Sequence, residues 1–152
     1  LSSAFLSDPE RSDLAANGLN AYVGVANGFV VTFTNGLKVY LSGDTGLTSD
    51  MGTIVHDYYG ADLAVINIGD IFTTGPEEAA FAITELVRPT SASVARQRGA
   101  TQGGMAVDGS KTARFADLVR KGRGNVAVKL PLSGITMEFD SKGRCQSGCP
   151  HW

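Results

Sequence analysis

Histidine and cysteine are scarce in this sequence, with two of each among 152 residues. That leaves few side chains of the kind that serve as catalytic bases, thiol nucleophiles or ligands of a closed zinc site. Positive charge is not in excess either. Thirteen Lys and Arg stand against fifteen Asp and Glu, a formal net charge of −2, which argues against the concentrated basic face that nucleic acid requires. The one basic run, Arg114 to Arg123, falls on an expected amphipathic helix and reads as a solvated face. No apolar run reaches the ~20 residues needed to cross a bilayer, so no membrane contact is expected. Internal repeats, a G-x-G-x-x-G fingerprint and a P-loop lysine are all absent.

What is present fits one globular α/β domain with a real core: 43% of residues are hydrophobic and 18% charged, within the range of folded domains of this size. The 19 glycines are spread as punctuation between short elements. Three parts are expected: an irregular lead-in over 1–20 with a helical turn after Pro9, an α/β subdomain over 21–140, and a Cys-containing tail over 141–152. The opening L-S-S-A-F-L-S-D-P-E lacks a basic region and a long apolar stretch and does not read as an intact signal peptide. In the tail, Cys145 and Cys149 bracket Q-S-G, so that Gly148 lets the backbone fold back. The pair closes a disulfide or remains as two thiols; zinc is a weaker option, with His151 as third ligand at most. A disulfide implies a periplasmic or secreted protein, and free thiols a cytoplasmic one.

Three β-rich runs, Tyr22 to Ala26, Phe29 to Phe33 and Leu37 to Leu41, are separated by Asn27-Gly28 and Asn35-Gly36. Asn-Gly suits tight hairpin turns of type I′, so an antiparallel meander is expected. A helix from Thr48, Ser49 or Asp50 as cap through Tyr59 would bury Met51, Ile54, Val55 and Tyr58, and Gly60 would stop it. The run L-A-V-I-N-I, Leu63 to Ile68, reads as a strand covered on both faces. Pro76, Glu77 and Glu78 open a helix through Val87 with Ala79, Ala80, Phe81, Ile83 and Leu86 as its apolar residues, and Pro89 ends it. A short strand near Ser91 to Ala95, a Gly-rich loop to Gly109, a helix from Lys111 to Lys121 and two closing strands, Val126 to Leu130 and Ile135 to Phe139, complete a sheet packed with helices.

Two strand ends carry candidate chemistry. In L-S-G-D-T-G, Asp44 follows a strand and precedes a helix, where α/β proteins place their sites; the plainer role is a turn-forming Asp bonded to its own backbone. In G-D-I-F-T-T-G-P-E-E, Asp70, Thr73 and Thr74 emerge at the same end of the sheet, and there the plainer role is Thr74 as helix cap and Asp70 as turn former. In A-R-Q-R-G, Arg96 and Arg98 suit an anionic group, since guanidinium matches carboxylate and phosphate. His56, inside a helix, and His151, beside the terminus, are not convincing bases.

Taken together, N-G-L-K-V-Y-L-S-G-D-T-G-L-T-S-D-M, D-L-A-V-I-N-I-G-D-I-F-T-T-G-P-E-E-A-A and P-L-S-G-I-T-M-E-F-D resemble the carboxyl-terminal half of metallo-β-lactamase-fold metal-dependent hydrolases, in the branch that includes L-ascorbate-6-phosphate lactonase. The resemblance covers Tyr22 to Phe139. It implies half of an αββα sandwich, with a mixed sheet and helices packed on it, and a hydrolase in which Asp44 is a metal ligand. It implies too that a metal-bound hydroxide attacks a lactone, ester or phosphoester, with Asp70 and Thr74 in support and Arg96 or Arg98 on a substrate anion. The family's histidine ligands have no counterpart here. The amino-terminal half with its H-x-H-x-D-H cluster is absent, L-S-S-A-F-L resembles residues just past a further histidine, and S-V-A-R-Q-R-G-A places Arg96 where the last histidine belongs. A divalent ion, zinc, manganese or iron, is therefore expected only if a companion amino-terminal chain or self-association supplies ligands. The alternatives are a non-catalytic subdomain that binds a protein partner or a small anionic ligand through Arg96 and Arg98, and a phosphate site at the helix amino termini.

Overall fold

The computed structural model describes residues 3–6, 21–69, 73–95, 101–102 and 105–149. In chain order the strands are β1 (Ser3–Leu6), β2 (Ala21–Val25), β3 (Phe29–Thr32), β4 (Lys38–Leu41), β5 (Leu63–Ile66), β6 (Ser91–Val94), β7 (Thr101–Gln102), β8 (Met105–Ala106), β9 (Ala127–Lys129), β10 (Glu138–Phe139) and β11 (Cys145–Ser147). The central sheet has the order β3-β4-β5-β6-β9. β3 lies antiparallel to β4, and β4, β5, β6 and β9 run parallel. The protein is thus of the α/β class, with a mixed sheet.

Strand alternation divides this sheet into two faces. Tyr40, Ala64, Ile66, Ala92 and Val94 pack with Met51, Val55, Ile83, Val87, Phe115 and Val119 of the helices, forming the larger core. On the other face Leu37, Val39 and Leu63 are buried with Val65 and Phe139 against them. β5 is therefore covered on both sides, which is why its sequence is apolar without alternation. Burying side chains such as Ile66 and Ile83 fully stabilises the fold by roughly 1.5–3 kcal/mol each.

Local signals place several elements where the sequence suggests. Gly60 adopts φ 63° and ends the Met51–Tyr59 helix, because a left-handed residue costs glycine nothing. Pro76 opens the second helical run, whose preceding Gly75 N–H donates to the Glu78 carboxylate at 2.6 Å. In the Lys111–Lys121 helix Ser110 is the cap, accepting from the Ala113 N–H. The basic residues on that helix are paired outward, Arg114 with Glu77 and Arg120 with Asp117.

Other expectations are corrected. Met51–Tyr59 is a wide helix with i→i+5 hydrogen bonds, and the run from Pro76 turns into the same geometry over Ala82–Val87. In a wider turn, residues three apart no longer share a face. Met51 and Val55 stay buried, whereas Ile54 and Tyr58 face outward, Tyr58 being 78% exposed. Phe81, expected inside, is 48% exposed.

The meander is also corrected: β2 pairs antiparallel with β1, within the stretch expected to be irregular, and not with β3. Gly28 has no positive φ. It is needed for closeness, since a Cβ there would press on the Tyr40 ring and on the Leu41 and Ser42 carbonyls. The Asn35-Gly36 turn does close a hairpin, but only Gly36 is left-handed, at φ 88°, the pattern of a three-residue loop and not of type I′. The loop before Gly109 holds the small pair β7–β8. Of the last expected strand only β10 forms, and it pairs with β11 outside the central sheet. There the Cys145 and Cys149 sulfurs are at disulfide-bonding distance, with Cα atoms 6.3 Å apart. No described helix is long and apolar enough to cross a membrane.

Tyr40 is 5% exposed, and burial first, then the nearby Asp50 carboxylate, pushes its phenol up to about 12 from 10.0. The folded state thus keeps a proton that the unfolded chain releases. This contribution to stability is complete below pH 10.0 and is lost as pH rises toward about 12. Urea midpoints at about pH 9 and about pH 11.5 should show that loss, and Tyr40→Phe should reduce it. The outward turn of Phe81 gives a second expectation. Ile83→Ala should cost about 2–5 kcal/mol, and Phe81→Ala no more than about 0.5; comparable losses in urea unfolding would show that the helical run buries a different face.

Candidate functional site

At the carboxyl ends of β4 and β5 the chain leaves the sheet through two loops that are bonded to one another. Ser42 extends the ladder past β4, its N–H donating to the Val65 carbonyl at 3.0 Å. Its hydroxyl is fully buried; it donates to the Gly43 carbonyl at 2.9 Å and accepts from the Asn67 N–H at 3.1 Å. Asn67, which follows the apolar run of β5, sends its side-chain Nδ2–H to the same Gly43 carbonyl at 2.6 Å. The Asn67 carbonyl in turn accepts from the Thr74 hydroxyl at 2.8 Å, and the Thr74 N–H donates to the Thr45 carbonyl at 3.0 Å. Ser42, Asn67 and Thr74 are all buried, so each bond replaces water that cannot reach them.

This network fixes the residues on either side of Asp44. Gly43 takes φ 60°, and a Cβ there would collide with the Asn27 carbonyl, so only glycine meets both demands. Asp44 itself is exposed at the rim. A carboxylate on a turn held this firmly is poised to engage a cation or a hydrogen-bond donor brought to the edge of the sheet.

The next helix supports the same edge. Lys111 Nζ donates to the Gly69 carbonyl at 2.7 Å, and Arg114 Nε to Glu77 Oε1 at 2.9 Å. The hydrogen bond from Arg114 holds the Glu77 carboxyl below its usual 4.5. These contacts tie the start of the Lys111–Lys121 helix to the loop after β5.

Of the residues singled out from sequence, Asp44 and Thr74 lie at this edge, joined through Thr45 and Asn67. Thr74 is not the helix cap, a position taken by Gly75, and its buried hydroxyl positions the loop. Asp70, Arg96 and Arg98 lie outside the described residues. His56 is structural, its Nδ1–H donating to the Val87 carbonyl at 2.8 Å and so tying two helical runs together. Ser42 and Asn67 went unnoticed in the sequence, although an Asn closing an otherwise apolar strand is a signal, since a buried carboxamide requires partners.

Among the described residues, no three His, Cys, Asp or Glu side chains gather as a metal site. One carboxylate is too few donors for a catalytic ion, which takes three protein ligands and an open position, so these residues do not fit a metal by themselves.

No known family model matches the chain. It is 52% identical over 59 residues to a UPF0173 metal-dependent hydrolase of Methanosphaera stadtmanae, covering 39% of this chain and 25% of that protein. To a UPF0173 metal-dependent hydrolase of Cupriavidus necator it is 44% identical over 68 residues, 45% of this chain and 23% of that protein. The matches thus span about a quarter of the length of these curated relatives. Among solved structures the fold is similar to Igni18, a metallo hydrolase from the hyperthermophilic archaeon Ignicoccus hospitalis. The TM-score is 0.55 at 30% identity, over 77% of this chain and 48% of that one.

Because Thr74 serves the network and not solvent, Thr74→Val should lower stability by about 1–3 kcal/mol, the cost of a buried carbonyl left unpaired. Thr74→Ser should keep most of it. Gly43→Ala should cost roughly 1–3 kcal/mol through backbone strain. Urea unfolding measures all three, and a neutral Thr74→Val would remove Thr74 from the network.

Proposed function

We propose that this chain is the carboxyl-terminal half of a metallo-β-lactamase-type, metal-dependent hydrolase acting on a lactone, ester or phosphoester, in the lactonase-like branch. Asp44 is the metal ligand it contributes. The observation that carries this reading is the exposed Asp44 carboxylate on a turn locked by Ser42, Asn67 and Thr74 at the carboxyl edge of parallel strands. Likeness to proteins named metal-dependent hydrolases supports it. The further ligands belong to a companion amino-terminal chain or to a second copy, and the ion is zinc, manganese or iron. Arg96 and Arg98 are assigned to an anionic part of the substrate, and Asp70 and Thr74 to the support of the site.

The sheet face away from the helices supports the need for a companion. Phe29, Val31 and Phe33 alternate along one side of β3 and its continuation, and all three are exposed, Phe29 by 62%. Leu41, across from Phe29, is exposed as well. A contiguous apolar face of this kind is costly in water and marks an interaction surface. The bonded cysteine pair supports a periplasmic or secreted location.

Native mass spectrometry with elemental analysis of the same sample tests the reading. A complex of this chain with a companion, carrying one or two metal ions, is expected, and Asp44→Ala should abolish metal uptake while the fold persists. Unchanged metal content in Asp44→Ala would sink the assignment. A metal-free chain without a companion would favour a binding subdomain for an anionic ligand.

A further inference from the structure

Between the helix-covered side of β3 and β4 and the Met51–Tyr59 helix lies a cavity of about 390 Å³. Its walls include Val30, Met51, Ile54 and Val55, and its polar lining includes Tyr40 and Asp50. The volume falls within the range of small-molecule sites, ~300–1,000 Å³, and exceeds a single water's share of the liquid, ~30 Å³, more than tenfold. We propose that this cavity binds a small amphiphilic cation, an apolar body carrying a protonated amine, with the amine held between the Tyr40 hydroxyl and the Asp50 carboxylate.

Three features argue for that ligand class. Tyr40 is 5% exposed, yet its hydroxyl makes no hydrogen bond to another described residue, and a buried phenol without a partner is rare unless something else supplies one. Asp50 is the one formally charged residue among the described lining residues, so the site attracts a cation and repels a carboxylate or phosphate. Asp50 stands at the amino-terminal end of the helix but makes no capping hydrogen bond, which leaves its oxygens available. The apolar walls remove the body of the ligand from water. The raised phenol pKa is consistent with this arrangement, since it keeps the hydroxyl protonated under all ordinary conditions.

This proposal does not rest on the hydrolase reading, since no metal or companion is needed for it. The purified chain would be titrated with 4-phenylbutylamine, with neutral 4-phenylbutanol and with anionic 4-phenylbutyrate. Calorimetry and the methionine methyl resonances would be followed. The amine should bind saturably and shift the Met51 methyl while that of Met137 stays in place. Asp50→Asn should weaken the amine about tenfold and leave the alcohol unchanged. Tyr40→Phe should weaken both, and Ile54→Trp, which fills part of the cavity from an exposed position, should abolish binding with the fold retained by circular dichroism. Two results would overturn the proposal: no saturable Met51 shift, meaning a cavity filled by water alone, or equal affinity for the amine and the carboxylate. Metal content in the Asp44→Ala experiment is independent of either result.

Discussion

Asn67 sits at the carboxyl end of β5, 3% exposed, and its carboxamide has to be satisfied there or the strand cannot end where it does. Its N–H, its Nδ2–H and its carbonyl each find a partner, in Ser42, Gly43 and Thr74 respectively. A buried amide left without partners costs about 1–3 kcal/mol on protein scales, and bonds sharing one buried residue strengthen each other. They bring the loop after β4 against the loop after β5, and with Thr74 they set the start of the helical run that follows. The turn that carries the exposed Asp44 is thus set by buried neighbours on both loops.

Among the described residues, the central sheet is covered on one face and open on part of the other. Helices cover Tyr40, Ala64, Ile66, Ala92 and Val94, whereas among the described residues the opposite face is closed around Leu37, Val39 and Leu63, with Phe139 of the small β10–β11 pair against them. Toward β3 the apolar rows continue into solvent at Phe29, Val31 and Phe33. This asymmetry, together with the single carboxylate among the described residues at that edge, is the physical ground of the proposed companion, which would both cover apolar surface and supply ligands.

Much of the architecture was legible locally. Pro76 at a helix start, Gly60 at a helix end and the apolar run of β5 are signals carried by a few adjacent residues, and the position of Asp44 follows from the β-rich run Leu37 to Leu41 that enters G-D-T-G. Asp70, Arg96 and Arg98 fall outside the described residues. Ser42 and Asn67 were missed, because alternation and propensity rank a side chain by type, whereas their importance comes from the partners that folding gathers around them.

By itself, then, the sequence determined the class of the fold, the chain order of its helices and of the strands of the central sheet, and the loop on which a carboxylate would emerge, since caps, breakers and short apolar runs act over one or two turns of chain. Tertiary structure alone decided which strand β2 would pair with, that β10 would leave the central sheet for β11, and that Ile54, Tyr58 and Phe81 would face outward. Strand pairing depends on residues far apart in sequence. Ile54 and Tyr58 turn outward because Met51–Tyr59 is wound with i→i+5 bonds, so residues three apart no longer share a face. Phe81, in contrast, ends the α-helical Pro76–Phe81 segment and faces outward because Ala79, Ala80, Ile83 and Val87 occupy the side packed in the core.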